Sequence, residues 1–456
     1  MSRIRSAAFF RDLQREPILI THASGVHLFD ENGNRYLDAA SGAAVCSLGH
    51  GRKDIAEVLS QQAQTLSFAH VSKFATRAMI DLAEAMAARA PTPLSKVFFT
   101  SGGSESTEAA IKLARQYHLS RGNASKYKVI TRRTSYHGAT LGALALSGQV
   151  GRRQMFTPMM TSQPMIAPTS CYRCPFGKQP ERCNFECADD LETMLASEGA
   201  DTIAAFIAEP IVGSSAPGRH PKDGYWQRIR EICDRHDVLF IADEVMSGNG
   251  RSGKWWAMQY AEASHGVVPD MITTAKGIGA GYTPLGAVLV RGDIFETVKT
   301  ASGGFKHGHT YSGNPVSCAV GLKVIEIIEQ EGLLANVQQR GYELKEKLEH
   351  TLSSHPHVGV IRGRGLLLGI EFVADKTTKT PFDASLDIRS KFSHACLARG
   401  LYIYQGGGNV DGKRGDHALL APPFVIDSRQ VDFIVDTMKD ALDEVTQNLS
   451  TNAATA

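Results

Sequence analysis

The sequence predicts an α/β protein: a mostly parallel central sheet sandwiched by helices, followed by a smaller α+β domain. Three observations carry this expectation. Between about residues 50 and 300, short, nearly continuous apolar runs at 96–100, 128–131, 203–208, 238–242, 271–274 and 287–290 alternate with helix-patterned stretches. Strands that are apolar on both faces and separated by helices belong to a largely parallel sheet covered on both sides. Past about residue 315 the texture changes to long helical segments at 316–330 and 334–352, then strand-like runs at 358–364 and 366–373. Finally, 456 residues are too many for one small core and suit two domains or one large domain with an appendage.

Taken in order, the chain opens with Val26-His27-Leu28-Phe29, the turn Asp30-Glu31-Asn32-Gly33, and Arg35-Tyr36-Leu37, a hairpin closed by an Asn-Gly turn. Residues 1–49 are therefore expected to join the small domain, 50–314 to form the large one, and 315–456 the small α+β domain. The polar tail from Ser450 is expected to fray. With 49 basic and 47 acidic side chains and no long like-charge run, a nucleic-acid or polybasic membrane role is disfavoured. No apolar stretch approaches the roughly 18 residues of a membrane span. The first ten residues lack an apolar signal core and a small-residue cleavage site, so a cytoplasmic location is expected, with a transit peptide as the alternative. Four of the eight cysteines, Cys171, Cys174, Cys183 and Cys187, crowd one loop. Their spacing fits either a structural zinc or iron–sulfur knuckle or a loop of reduced thiols; no catalytic metal is expected.

The chemistry sits at strand ends. Lys276 follows the run at 271–274 among small residues and glycines, Thr273-Thr274-Ala275-Lys276-Gly277-Ile278-Gly279. An amine kept from water there has a lowered pKa and attacks carbonyls. Asp243 ends another apolar run, where a carboxylate needs a cation or donors to offset desolvation; a helix cap or salt bridge satisfies that need as well as a ring N–H does. Ser101-Gly102-Gly103-Ser104 leads from a strand into a helix, either a cradle for an anion at the helix N-terminus or an ordinary connection. Tyr136-His137-Gly138, Glu209-Pro210-Ile211 and His309-Thr310-Tyr311-Ser312-Gly313-Asn314-Pro315 lie at similar positions, each also readable as an irregular loop. In parallel sheets ligands bind beyond the carboxyl ends of the strands. An amine, a carboxylate and a phosphate cradle at successive ends suggest a pyridoxal-phosphate site.

These motifs, with Ala-Asp-Glu-Val, Ala-Lys-Gly and Ala421-Pro422-Pro423, stand in one order over roughly residues 25 to 425. In that order the chain resembles the class III pyridoxal-phosphate aminotransferases of fold type I, which include ω-amino acid, ornithine and 4-aminobutyrate transaminases. The resemblance implies that Lys276 is the Schiff-base lysine and Asp243 the partner of the ring nitrogen. It further implies that Val245 and Tyr136 enclose the ring, that Gly102, Gly103 and Ser104 hold the phosphate, and that His137 and Glu209 belong to the cofactor site. Thr310 resembles the threonine that reaches the phosphate of a neighbouring subunit, which implies a homodimer.

The implied reaction is a ping-pong transamination from an ω-amine or ω-amino acid to an oxo acid, with pyruvate the expected acceptor. The alternatives are 2-oxoglutarate dependence, a racemase, aminomutase or decarboxylating relative, and, remotely, a non-catalytic pyridoxal-phosphate regulator. Leu419 stands where glutamate-binding members carry a fixed arginine, so that clamp is missing. Arg414 lies near the mobile arginine of ω-amine:pyruvate enzymes, shifted by about two residues, and is either a carboxylate fork or a solvated loop residue. Ala44 occupies a stretch where several such enzymes place a tryptophan, and is expected to leave room for a bulkier amine.

Overall fold

The computed structural model describes residues 6–14, 16–260 and 266–452. Its central sheet has seven strands: β4 (Leu94–Thr100), β5 (Lys128–Arg132), β6 (Met165–Ile166), β7 (Ile203–Ala208), β8 (Leu239–Asp243), β9 (Met271–Thr274) and β10 (Gly286–Arg291), after the N-terminal strands β1 (Ile20–Ser24), β2 (His27–Asp30) and β3 (Arg35–Asp38). The order across the sheet is β4-β10-β9-β8-β7-β5-β6. The pairs from β9 through β8, β7 and β5 to β6 are parallel, whereas β10 runs antiparallel to both β9 and β4. The sheet is thus mostly parallel, as the apolar runs predict.

Side chains alternate faces along each strand. Ala205 and Ile207 of β7 and Leu239 and Ile241 of β8 pack with Ala109, Ala110, Leu113 and Ala114 of the helix Gly103–Ser120. Phe206 and Ala208, with Phe240 and Ala242, face the opposite layer, where Leu191, Trp226 and Ile229 come from the helices Glu186–Glu198 and Tyr225–Arg235. Asp243 continues the face of Leu239 and Ile241, and so reaches the rim on the side where the helix Gly103–Ser120 begins. The β8 strand extends one residue beyond the expected run, to include Asp243 itself.

After the helices Pro315–Gln330 and Leu333–Leu352 come β11 (Val358–Arg364), β12 (Leu367–Phe372), β13 (Leu401–Tyr402), β14 (Tyr404–Gly407) and β15 (Asp416–Leu420). The second sheet is β11-β12-β15-β14, all antiparallel. The N-terminal hairpin forms as expected: β2 pairs with β3, and Gly33, at φ 80°, donates to the Asp30 carbonyl. The parallel pairing of β3 with β13 joins this hairpin to the later chain. One apolar cluster spans both, from Val26 and Leu37 to Leu368, Phe392 and Leu442. The helix Ser428–Asn452 runs past Ser450; the rest of the tail, like residues 1–5, lies outside the described residues. Among the described residues no helix is long and apolar enough to cross a membrane.

Candidate active site

At the carboxyl edge of the central sheet, a cavity of about 260 Å³ collects Ala43, Gly103, Ser104, Tyr136, His137, Gly138, Arg152, Glu209, Ser214, Asp243, Val245, Met246, Lys276 and Tyr404. Most of the sequence-predicted residues therefore meet at one place, because parallel strands deliver their ends to one edge.

Lys276 follows β9 through Ala275 and takes a left-handed φ of 51°. The Asn249 side chain fixes this turn, its Nδ2 donating to Thr274 Oγ1 at 2.7 Å and to the Ala275 carbonyl at 3.1 Å. Lys276 Nζ donates to the Ala43 carbonyl at 3.0 Å. Burial lowers its pKa to about 8; the carboxylates of Asp243 and Glu209 oppose that fall. An amine with this pKa has a substantial neutral fraction at physiological pH, as a nucleophile or proton carrier needs.

Asp243 is 3% exposed. Its Oδ2 lies 2.6 Å from Nδ1 of the buried His137, whose Nε2 is 3.1 Å from Thr131 Oγ1. Its Oδ1 accepts the Val245 amide at 3.1 Å. His137 thus stands behind Asp243 and holds it. Glu209 does similar positioning work: Oε1 accepts the Tyr136 amide at 3.0 Å and Oε2 the Gly213 amide at 2.8 Å. Burial raises the pKa of Glu209.

The turn at Gly102-Gly103-Ser104 approaches the site closely. A Cβ at Gly103 would stand 2.9 Å from Val245 Cγ1, and one at Gly138 would stand 2.7 Å from Ser104 Oγ. Ser104 Oγ accepts the Ala139 amide at 3.0 Å. A glycine cradle at a helix N-terminus, a buried carboxylate and a desolvated amine around one cavity fit the phosphate, ring nitrogen and aldehyde of pyridoxal phosphate.

Four expected residues stand elsewhere. Gly102 lies in the extended approach to the helix and is not a wall of the cavity. Thr310 is exposed and lines a separate cavity of about 930 Å³. Arg414 is 65% exposed and paired with Asp411 at 2.7 Å, three residues away. It is therefore held in its own loop. Ala44 is 3% exposed and packs with Ile211, Met246, Leu367 and Leu419; its neighbour Ala43 lines the cavity. Left-handed φ at Ser41, Gly42 and Ala44 turns the backbone over between these adjacent alanines. The expected gain of pocket volume at Ala44 is thus corrected: that side chain belongs to the apolar core. Cys171, Cys174, Cys183 and Cys187 are free thiols, and burial pushes Cys187 up to about 12. Among the described residues no three His, Cys, Asp or Glu side chains are arranged to hold a metal ion.

Sequence reasoning missed Arg152. Its guanidinium carbon lies 4.4 Å from the centroid of the Tyr136 ring, and Nη2 donates to Tyr404 Oη at 3.2 Å. Among the described residues no carboxylate pairs with it. The adjacent arginines Arg152-Arg153, sixteen and seventeen positions beyond Tyr136, were the available signal.

The chain matches the family model for class III aminotransferases over residues 10–442. It is 34% identical over 428 residues to a putrescine–pyruvate aminotransferase of Pseudomonas aeruginosa, covering 93% of this chain and 90% of that one. It is also 34% identical over 443 residues to a diaminobutyrate–2-oxoglutarate transaminase of Halomonas elongata, covering 96% and 92%. The solved structure of a thermostable (S)-enantioselective omega-transaminase from Thermomicrobium roseum superposes with a TM-score of 0.89 at 35% identity, covering 97% of this chain and 96% of that one.

Proposed function

This chain belongs to the class III aminotransferases, pyridoxal-phosphate-dependent enzymes, and from that premise we propose that it moves an amino group from an ω-amine or ω-amino acid to pyruvate. The observation that carries the reading is the cavity itself, where Lys276 and the unpaired guanidinium of Arg152 line one small space. Gly103 and Ser104 would hold the cofactor phosphate at the helix N-terminus, Asp243 would serve the ring nitrogen, and Val245 and Tyr136 would hold the ring. When bound, the cofactor supplies an aldehyde that accepts the amino group and a protonated ring that stabilises negative charge on the substrate carbon.

The residues of the chain do the rest. Lys276, with its pKa lowered to about 8, carries the proton to and from the substrate carbon. His137 and Glu209 hold Asp243 and the Tyr136 backbone in place. Arg152 takes over the role expected of Arg414, forking onto the carboxylate of the oxo acid, while Tyr136 and Tyr404 orient its guanidinium. Thr310 reaches the phosphate of the partner subunit in a homodimer, which accounts for its exposure within one chain.

Purified enzyme assayed with a panel of diamines and ω-amino acids against pyruvate and 2-oxoglutarate tests the assignment. Turnover with pyruvate is expected, together with its complete loss in Lys276→Ala. Exclusive use of 2-oxoglutarate refutes the acceptor, and activity retained in Lys276→Ala refutes the site.

A further inference from the structure

A third cavity, of about 620 Å³, shares no lining residue with the active one. Its walls include Arg133, Arg153, Arg173 and Arg219, and the acid among them is Asp411, already paired with Arg414 at 2.7 Å. Arg219 is 4% exposed, and its bonds go to neutral acceptors: Nη1 to Thr134 Oγ1 at 2.9 Å and Nη2 to the Asn409 carbonyl at 2.8 Å. Among the described residues, Arg153 donates only to the Ser147 carbonyl at 3.2 Å and to Met165 Sδ at 3.4 Å. Arg173 has a carboxylate, Glu371, at 2.6 Å, but Arg362 shares that carboxylate at 3.1 Å.

Two buried donors of lining residues have no partner among the described residues: Arg219 Nε and Arg173 Nη2. Burial and the nearby Arg362 push the pKa of Arg219 down to about 9, so it remains cationic at neutral pH. Guanidinium groups with orphaned donors around one cavity are costly to bury without an anion to meet them, and the carboxylate of Glu371, which also acts on Arg219, is already engaged by Arg173 and Arg362. Exposed Arg133, Gln154 and Asp411 stand at the same cavity and give it a solvent-facing side.

We propose that this cavity is a binding site for a small multivalent oxyanion, held by Arg153, Arg173 and Arg219, and that its occupancy sets the position of Arg152. The phosphate and carboxylate classes share the chemistry, since each offers several oxygens to forked guanidinium donors. The link to the active cavity is short. Arg152 and Arg153 sit in one helical turn, Val150–Arg153, and line different cavities. A second bridge runs from the Asn409 side-chain amide, which donates to His417 Nδ1 at 3.0 Å, through His417 Nε2, which donates to the carbonyl of Ser214 at 3.2 Å; Ser214 lines the active cavity. The coupling to Arg152 rests on the role given to Arg152 above, whereas the binding site does not.

Titration calorimetry on the cofactor-loaded enzyme, at constant ionic strength set with sodium chloride, tests the site with pyrophosphate and with citrate. Saturable binding of at least one is expected, weakened about tenfold or more in Arg153→Gln, the loss of a charge-assisted hydrogen bond, and kept in Arg152→Gln. Binding of pyrophosphate alone assigns the phosphate class, of citrate alone the carboxylate class, and of both a site that reads charge. Arg153 is half-buried and among the described residues bonds a carbonyl and a thioether, so its replacement is expected to leave the core intact. As a second measurement, the ligand should raise the thermal midpoint of the parent enzyme and not of Arg153→Gln. No saturable binding by either probe, or binding lost in Arg152→Gln but not in Arg153→Gln, overturns the site. For the coupling, the bound probe should shift KM for the oxo acid in the parent enzyme and not in Arg153→Gln, with kcat unchanged. An unmoved KM alongside saturable binding overturns the coupling alone.

Discussion

Replacing Arg152 by Gln separates the two arginines that compete for the substrate carboxylate. In the parent enzyme one guanidinium donor is engaged by Tyr404 Oη at 3.2 Å and the planar group stacks 4.4 Å from the Tyr136 centroid, leaving the remaining donors for a ligand. Glutamine keeps a polar tip but loses the charge and the fork. A hydrogen bond to a charged group contributes about 1.5–3 kcal/mol, so losing one lowers kcat/KM for pyruvate roughly 10- to 150-fold. In ping-pong kinetics the kcat/KM of each substrate reports its own half-reaction. A diamine lacking a carboxylate should therefore keep its kcat/KM within about threefold, since a neutral donor never used the fork. Arg414→Gln is the matched control: Arg414 is 65% exposed and closes an ion pair with Asp411, so neither substrate's kcat/KM should change. Steady-state kinetics on the three proteins, with oxo acid and amine varied separately, give all the numbers needed. Normal pyruvate kinetics in Arg152→Gln, with a tenfold loss in Arg414→Gln, would refute the reasoning and return the clamp to the loop.

Gly103→Val places methyls where even a Cβ stands 2.9 Å from Val245 Cγ1, so cradle or ring support must shift. Overpacking of this kind costs about 1–3 kcal/mol, and pyridoxal-phosphate affinity, read by fluorescence titration, should fall roughly 5- to 150-fold while circular dichroism is unchanged; affinity within twofold of the parent counts against the cradle. The lowered pKa of Lys276, about 8, predicts the pH dependence of cofactor capture by the apoenzyme. Only the neutral amine attacks an aldehyde, so the rate should climb about tenfold per pH unit below pH 8 and level off above it. A climb that continues to the ordinary lysine range, near 10.5, means that burial does not act on this amine.

The residues that meet at the active cavity were legible because most of them follow a strand end. Apolar runs mark the strands, and a buried sheet turns the residues just beyond 208, 242 and 274 into one rim, whatever the loops do afterwards. The direction of β10 was not legible in the same way. A strand buried on both faces has the same composition whether it runs with or against its neighbours, and only its pairing with β9 and β4 distinguishes the two. Loop side chains failed for a different reason. Arg414 looked available in the sequence, yet Asp411 captures it locally, and an exposed pair three residues apart forms without reference to any substrate. Ala43 and Ala44 differ in role because left-handed φ values at Ser41 and Ala44 bracket them, and alanine gives no warning of that conformation as a glycine would.

Arg152 depends on contacts across long stretches of chain: it meets Tyr404 of β14, 252 residues away, and the ring of Tyr136 from the preceding loop. The basic cavity likewise joins distant pieces, since Arg219 and the Asn409 carbonyl are 190 residues apart. What the sequence carries locally is therefore the part of the site set by the sheet edge. The part proposed to bind the oxo acid rests on Arg152, whose partners are chosen only by folding. Arg152 and Arg153, neighbours in the chain, show the consequence: one turn of helix sends the first toward the reacting amine and the second toward a separate basic cavity. A change at either position should therefore be read in both places before it is assigned to one.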